Sequence, residues 1–392
     1  MKMKALRWYG IHDVRTEEID KPVPPEGEVL VRVLYAGICG SDLHIYNKGM
    51  FIQNVPETMG HEFCGVVEEA DSESGFSAGD LVIANPMVPC GVCDSCRRGS
   101  YNTCEALGFI GEVRQGCFAK YISLPPDRLI PVPGRTETGG NGADTDSSPA
   151  ASCGTDSASA VSSCGNDSAS ADSCNTDSAS AVSSRTDSAS AASSRRDDMD
   201  LRQLALAEPL AVAVNVCERG ALSPEDSLAV IGAGPIGLLT AALARNVYGV
   251  KDITVVNRSE TRRKIAEKFG VKALPSIPEQ QRFDKIVEAA GNPVTLNMAL
   301  QSVRAGGLVL AVSVFEEDCV IDANLIVGAQ LSLIGCNCYG RKELETAVDL
   351  IASRRVDLSP VITDVVSLDD GKAAFEKLSS REKRAAKILF EM

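Results

Sequence analysis

The first 130 residues carry short apolar runs that glycine and proline separate. Such runs occur at 29–35, 65–69 and 80–84, and valine, isoleucine and leucine dominate them. Short runs rich in β-branched residues and bounded by turn residues are typical of β-strands. The pattern predicts a barrel-like, all-β region in this half of the chain.

Beyond residue 226 the pattern changes to an alternation of strands and helices. An apolar strand at 227–231 precedes a glycine-rich turn, a helical pattern through Arg245 and a second strand at 252–256. Strand, helix and strand follow again through 283–288 and 307–313. This alternation predicts a parallel, doubly wound sheet.

Residues 137–198 differ from both halves, because serine, alanine, aspartate and glycine leave almost no large apolar side chain to bury. Copies of Asp-Ser-Ala-Ser-Ala begin at Asp156, Asp167, Asp177 and Asp187. Such a segment cannot offset the entropy of ordering, so we predict a disordered insert in a surface loop. Three cysteines recur at the repeat period, for which repeat drift is favoured over metal binding: Cys153, Cys164 and Cys174.

Composition favours a globular protein without a membrane or nucleic-acid partner. The chain has 392 residues, enough for two domains, with 44% hydrophobic residues and no apolar run of membrane-spanning length. Its net charge of −14 argues against nucleic acid, although the insert alone carries −7. The first ten residues lack an apolar signal core, which predicts a cytoplasmic protein whose fourteen cysteines are metal ligands or free thiols.

The glycine-rich turn after the strand at 227–231 has the dinucleotide-binding spacing. Gly232 permits the tight turn, Gly234 lets a pyrophosphate approach the backbone, and Gly237 allows close packing of helix on strand. The phosphate then meets the N-terminus of the following helix. The motif predicts a dinucleotide site, with an ordinary strand-helix turn as the alternative.

The end of the second strand bears on which dinucleotide binds. NAD sites usually place an acid there for the ribose 2′-hydroxyl, whereas this chain has Asn257 and Arg258. Arg258, with Arg262 and Arg263 one turn later, could neutralise a 2′-phosphate. NADP is therefore favoured over NAD, although the arginines could also belong to a solvated helix start.

Four cysteines within fifteen residues have metal-binding spacing. They form a C-x2-C-x2-C-x7-C pattern at Cys90, Cys93, Cys96 and Cys104. Four thiolates around zinc leave no open position, so we predict a structural metal in a lobe at 90–104. An iron-sulfur cluster is an alternative use of four cysteines.

A second donor set combines sulfur, imidazole and carboxylate. It consists of Cys39, the adjacent His61 and Glu62, and Glu208 just before the dinucleotide-binding half. Cysteine, histidine and one or two glutamates around zinc leave a position open, which Lewis-acid catalysis requires. A buried cysteine at 39 and a helix-start acid at 208 are the plain alternatives.

Five ordered motifs resemble a known superfamily. GICGSDLH at 37–44, GHE at 60–62, the four-cysteine lobe, AEPLAV at 207–212 and GAGPIG at 232–237 look like the zinc-dependent medium-chain alcohol dehydrogenases. The resemblance covers the chain apart from the insert. Within the superfamily the sequence is similar to the polyol (sorbitol), butanediol and threonine 3-dehydrogenase branch.

The resemblance implies roles for individual residues. Cys39, His61 and Glu62 would hold a catalytic zinc with Glu208 as a fourth or water-bridged ligand, while Ser41 and His44 would form a proton relay. The four-cysteine lobe would hold a second, structural zinc. Residues that would line the cofactor beyond the glycines are Ile236, Asn257, Arg262, Val312, Ser313 and Val314. Ile45 and Tyr46 are candidates for a substrate wall or, equally, for core packing.

The implied protein is an α/β enzyme with a GroES-like β-rich catalytic domain and a Rossmann domain with a doubly wound parallel sheet. We place the catalytic domain at 1–136, 199–215 and 338–392, and the Rossmann domain at 216–337. The expected reaction is hydride transfer between a secondary alcohol (a polyol, diol, sugar alcohol or threonine-like compound) and NAD(P) in a homodimer or homotetramer. The alternatives are a zinc-free reductase of the same superfamily and a non-catalytic, zinc-stabilised nucleotide-binding or redox-sensing protein.

Overall fold

The computed structural model describes residues 1–136, 199–380 and 385–392. The predicted disordered insert at 137–198, with its repeats and three cysteines, lies outside the described residues. The strands and helices on either side of it divide into a β-rich half and a half built on a parallel sheet.

The β-rich half takes strands from both ends of the chain. A three-stranded sheet has the order β2-β1-β4, β7 pairs with β8, and a larger sheet has the order β10-β6-β5-β3-β18-β17 with β9 also on β3. The strands before the insert are β1 Lys2–Gly10, β2 Asp13–Asp20, β3 Val29–Gly37, β4 Glu57–Thr58, β5 Glu62–Glu69, β6 Asp80–Ala84, β7 Met87–Val88, β8 Gly108–Phe109, β9 Tyr121–Leu124 and β10 Leu129–Thr136.

The half after the insert is built on six parallel strands. Their order is β13-β12-β11-β14-β15-β16, in which consecutive strands run outward from β11 in one direction and from β14 in the other. This is a doubly wound sheet, and ligands bind where the strand order reverses. The strands are β11 Ser227–Ile231, β12 Asp252–Val256, β13 Lys272–Leu274, β14 Phe283–Glu288, β15 Val303–Ala311 and β16 Ser332–Gly335, followed by β17 Ile362–Ser367 and β18 Lys387–Glu391 of the β-rich half.

Helices connect the strands in both halves of the chain. They are α1 Gly40–Lys48, α2 Asp94–Arg97, α3 Leu201–Leu204, α4 Ala207–Arg219, α5 Pro235–Asn246, α6 Glu260–Glu267, α7 Pro293–Ser302, α8 Ala323–Gly328, α9 Arg341–Ala352 and α10 Gly371–Ser379. Short 3₁₀ turns lie at Tyr101–Thr103, Pro126–Arg128, Ser359–Val361 and Leu368–Asp370. None of the helices in the described ranges combines the length and apolar character needed to cross a bilayer.

Two details of the predicted elements are wrong. The region predicted to be all-β contains α1, where Cys39 is the N-cap and its backbone N–H is bound by the Asp42 side chain. The strand predicted at 307–313 is β15, which begins at Val303 and ends at Ala311. Its pairing with β14 shifts register after Phe283, and the polar, glycine-containing stretch there reads as a turn in the sequence.

Helix α4 packs between the two halves. Its buried Leu210 shares one apolar cluster with Cys64 and Ile83 of the β-rich sheet and with Leu238 of α5. Glu208 lies in the first turn of α4 and is buried. The packing of α4 therefore places this carboxylate where the two halves meet.

Candidate active site

Three of the predicted metal ligands converge at one place. One donor atom each from Cys39, His61 and Glu62 lies within 4.8 Å of the others. Cys39 is the N-cap of α1. His61 directly precedes β5 and Glu62 is its first residue, and β5 pairs antiparallel with β3. A Cβ on Gly37 would lie 2.4 Å from the Glu62 carboxylate, so glycine there gives the glutamate its space.

A buried lysine holds Glu62. Lys387 on β18 is 1% exposed, and its Nζ donates to Glu62 Oε1 at 2.8 Å and Oε2 at 2.6 Å. The same amine donates to the backbone carbonyl of Ile38 at 2.9 Å. Sequence reasoning missed Lys387; its only signal is a lysine that opens the apolar run KILF.

Glu208 has a different partner. The hydroxyl of the fully buried Tyr339 donates to Glu208 Oε1 at 2.8 Å. Burial raises the pKa of Glu208 to about 7. Glu208 is not within the three-residue cluster, so its role as a fourth or water-bridged ligand stays a prediction. Tyr339 is a second residue that sequence reasoning missed.

The chemistry of this cluster fits a divalent cation. Burial raises the pKa of the Cys39 thiol and of the Asp42 carboxyl, and the charge of Glu62 adds to the rise at Cys39. Burial acts to lower the pKa of His61, but Cys39, Asp42 and Glu208 together outweigh it and the pKa is raised. Nδ1 of His61 is buried without a hydrogen-bond partner among the described residues. Soft sulfur, imidazole and carboxylate together are a ligand set that suits zinc.

The predicted relay residues Ser41 and His44 both lie on α1, and within the described ranges no hydrogen bond joins their side chains. The Ser41 hydroxyl is buried and has no partner in the described part of the chain. His44 pairs instead through Nδ1 with Glu316, at 2.6 Å. Ile45 and Tyr46 are buried, and Tyr46 packs against the ring of Phe375, so core packing is the alternative that the structure favours for both.

The four cysteines of the lobe at 90–104 form a compact set. Their sulfur atoms lie within 4.8 Å of one another, with separations of 3.9 Å for Cys90–Cys96, 3.5 Å for Cys93–Cys96 and 3.9 Å for Cys93–Cys104. A tetrahedron with zinc–sulfur bonds of 2.3 Å has edges of about 3.8 Å. Backbone N–H groups of Glu105 and Cys96 lower the pKa of Cys93 to about 6. The lobe therefore fits a closed tetrahedral metal site.

The glycine-rich turn has the geometry that the dinucleotide motif requires. Gly232 has φ of 111°, and a Cβ on it would lie 2.5 Å from the Ala289 carbonyl. A Cβ on Gly237 would lie 1.9 Å from the Gly232 carbonyl, so α5 can approach β11 only with glycine there. Gly234, the N-cap of α5, faces open space, and Ile236 is in the first turn.

The residues after β12 differ in what they contact. The Asn257 side-chain oxygen accepts from the Ser259 N–H at 2.8 Å. Arg262 donates to the Ala385 carbonyl at 2.9 Å, which turns its guanidinium to the C-terminal segment. Arg258 is exposed, and no side-chain hydrogen bond or ion pair engages it among the described residues.

The stretch Val312, Ser313 and Val314 follows β15 and lies at the same edge of the sheet. Val312 N–H donates to the Glu288 carbonyl at the end of β14, at 3.1 Å. A Cβ on Gly291 would lie 2.6 Å from the Val314 carbonyl. These residues and the Gly232 turn therefore border the point where the strand order reverses.

Comparison with known proteins gives the same two halves. Residues 25–134 match the family model of the alcohol dehydrogenase GroES-like domain, and residues 235–353 match that of zinc-binding dehydrogenases. Together the two segments cover more than half of the chain.

Similar proteins span almost the whole chain. D-xylulose reductase A of Aspergillus oryzae is 26% identical over 95% of this chain and 92% of its own. Sorbitol dehydrogenase of Bacillus subtilis is 25% identical over 99% and 96%. The crystal structure of 2R,3R-butanediol dehydrogenase from Bacillus subtilis superposes with a TM-score of 0.76 at 27% identity, covering 100% of this chain and 99% of that one.

The chain belongs to the zinc-dependent medium-chain alcohol dehydrogenase superfamily. This confirms the predicted GroES-like and Rossmann fold class and the predicted zinc-dependent, NAD(P)-linked oxidoreductase that acts on CH–OH groups. The alternative of a non-catalytic nucleotide-binding or redox-sensing protein is not favoured. The domain boundaries and the roles of single residues stay predictions.

Proposed function

We propose that this protein oxidises, reversibly, a secondary alcohol next to a second hydroxyl or other polar group, with NADP preferred over NAD. The convergence of Cys39, His61 and Glu62 in one buried cluster carries the proposal, because this donor set suits zinc with a position left open. Zinc bound there would act as a Lewis acid on the alcohol oxygen, and the nicotinamide would accept the hydride.

The chain's own residues divide the remaining work. Cys39, His61 and Glu62 hold the metal, and Lys387 keeps the Glu62 carboxylate in place through hydrogen bonds to both of its oxygens. Ser41 and His44 carry the alcohol proton away from the buried site towards solvent. A second zinc in the lobe at 90–104 holds that loop together and takes no part in the reaction.

The substrate class follows from the relatives. Their names point to xylulose, sorbitol and 2,3-butanediol, in which the reacting carbon has a neighbouring oxygen. A screen of xylitol, sorbitol, 2,3-butanediol and threonine with both cofactors, followed by absorbance of the reduced nicotinamide, tests the proposal. We expect turnover of at least one diol or polyol. No turnover of any secondary alcohol by zinc-loaded protein would contradict the proposed function.

The proposed NADP preference rests on Asn257 and Arg258. No acidic residue follows β12 directly. The guanidinium of Arg258 is exposed and makes no hydrogen bond or ion pair among the described residues. Arg262 is a weaker candidate for the 2′-phosphate, because it is committed to the Ala385 carbonyl.

Asn257→Asp should therefore lower the NADP to NAD ratio of kcat/KM by about tenfold or more, which corresponds to about 1.4 kcal/mol. The new carboxylate would bind a ribose 2′-hydroxyl and repel a 2′-phosphate. Asn246→Asp is the control, since it adds the same charge at the exposed C-terminal end of α5, a helix about 18 Å long whose N-terminus follows the glycine-rich turn. An unchanged ratio in Asn257→Asp would refute the cofactor assignment.

The proposed homodimer or homotetramer has a candidate surface at β16. Among the described residues this strand ends the parallel sheet and pairs only with β15, and its Leu333 is 37% exposed. Val327 on the preceding helix is also exposed. An unpaired edge with exposed apolar side chains invites pairing with another strand, here a second copy of the chain.

Leu333→Lys should reduce the mass measured by light scattering, because a charge on the edge strand opposes pairing. Val23→Lys is the control, since Val23 is an exposed apolar residue (89%) of the β-rich half. Wild-type mass for Leu333→Lys, or a monomeric wild type, would rule out this surface. Cytoplasmic location stays a prediction.

A further inference from the structure

One carboxylate of the parallel-sheet half pairs with two side chains of helix α1. Glu316 lies in the segment after β15, and its Oε1 is 2.6 Å from His44 Nδ1. Its Oε2 accepts from Lys48 Nζ at 2.5 Å. His44 and Lys48 are four residues apart and lie on the same face of α1, so each of them can pair with one oxygen of the carboxylate.

The contact determines which nitrogen of His44 carries the proton. An ionised carboxylate only accepts hydrogen bonds, so Nδ1 must donate and Nε2 of the neutral ring keeps its lone pair. The Lys48 hydrogen bond, and then that of His44, lower the pKa of Glu316, which keeps it ionised at neutral pH. The ring of Phe51 meets the imidazole edge to face at 6.3 Å and packs beside it.

Glu316 also belongs to the segment that borders the dinucleotide edge. It follows Val314 by two residues, and the segment is tied to β14 through the Val312 N–H. The group that orients His44 and the residues proposed to line the cofactor are therefore parts of one short stretch of backbone.

We propose that Glu316 is a positioning residue: it holds His44 in the Nδ1-protonated form, with Nε2 free to accept a proton, and joins the cofactor-lining segment to helix α1. This inference rests on the proposed relay role of His44. Glu316 does not itself touch the reacting atoms. It acts by keeping one tautomer and one ring orientation, as carboxylate partners do for functional histidines in other sites.

The first test is spectroscopic. The chain has only three histidines, so ¹⁵N–¹H spectra of the imidazoles in the zinc-loaded, cofactor-bound enzyme can be assigned with single His→Gln variants. We expect the Nδ1–H form for His44 in the wild type and a mixture with the Nε2–H form in Glu316→Gln. Glu317→Gln is the matched control, since this exposed neighbour makes no side-chain hydrogen bond or ion pair among the described residues, and it should leave the spectrum unchanged. An unchanged His44 signal in Glu316→Gln would overturn the proposal.

The second test is a double-mutant cycle on kcat. General acid–base catalysis is worth about 10²–10⁴-fold, so we expect Glu316→Gln to lower kcat by about tenfold or more with a smaller change in KM for the cofactor. In a His44→Gln background, Glu316→Gln should have no further effect, because the two residues act as a unit. The same loss in both backgrounds would overturn the proposal. Wild-type kcat in His44→Gln would instead reject the relay role of His44. The spectra test separately whether Glu316 sets the tautomer of His44.

Discussion

We expect Cys39→Ser to lower kcat for alcohol oxidation by about 10³-fold and to remove one of the two zinc atoms proposed for each chain. The Cys39 sulfur is the soft donor of the buried cluster and its proposed metal ligand. Lewis-acid stabilisation by a metal is worth several kcal/mol, with about 1.4 kcal/mol for each factor of ten. Steady-state kinetics and metal analysis of the same preparation check both parts. Binding of the dinucleotide should persist, because the Gly232 turn is untouched.

The matched control is Cys319→Ser, which makes the same replacement at a half-buried cysteine outside both clusters. It should retain two zinc atoms and wild-type kcat. If Cys39→Ser keeps two zinc atoms and full activity, the cluster of Cys39, His61 and Glu62 is not the catalytic site. One zinc atom in the wild type would contradict the two-zinc proposal.

We expect Lys387→Met to lower the free energy of unfolding by about 3–5 kcal/mol, the usual result of removing one partner from a buried ion pair. The loss is large because Glu62 is 1% exposed and would stay buried without the amine that binds both of its oxygens. Urea unfolding at constant zinc concentration, followed by tryptophan fluorescence, measures it. Trp8, the only tryptophan of the chain, lies on β1 in the same half.

The control compares two lysine–carboxylate pairs with nearly equal nitrogen–oxygen distances. Lys377 and Asp364 are 2.7 Å apart, but their side chains are partly exposed. Lys377→Met should therefore cost only about 0–1 kcal/mol. Adding Glu62→Gln to Lys387→Met should restore part of the lost stability, since it removes the unpaired charge. Equal losses in the free energy of unfolding for the two lysine variants would show that the buried pair stabilises the protein no more than the exposed pair does.

Features that depend on neighbouring residues could be predicted from the sequence. The strands at 227–231 and 252–256 and the turn Gly232 to Gly237 follow from local patterns and steric limits of the backbone. The four-cysteine lobe is equally local, because its ligands lie within fifteen residues. The β15 boundary was wrong because a shift of register depends on the partner strand, which the local sequence does not specify.

The partners of the site residues depend on contacts between distant parts of the chain. Lys387 is 325 residues from Glu62, His44 is 272 from Glu316, and Tyr339 is 131 from Glu208. No spacing rule connects residues that far apart, so these pairs become visible only when the sheets and α4 are assembled.

The sequence by itself therefore determined the superfamily, the two-half architecture and the candidate zinc ligands, since motif chemistry and short-range periodicity are local properties. The tertiary structure decided which of these donors meet within 4.8 Å, that Glu208 is hydrogen-bonded to Tyr339, and that Ile45 and Tyr46 pack in the core. It also revealed Lys387 and Glu316. Burial and long-range pairing set the charge balance around the site, and both arise only from the packing of strands and helices that are distant in sequence.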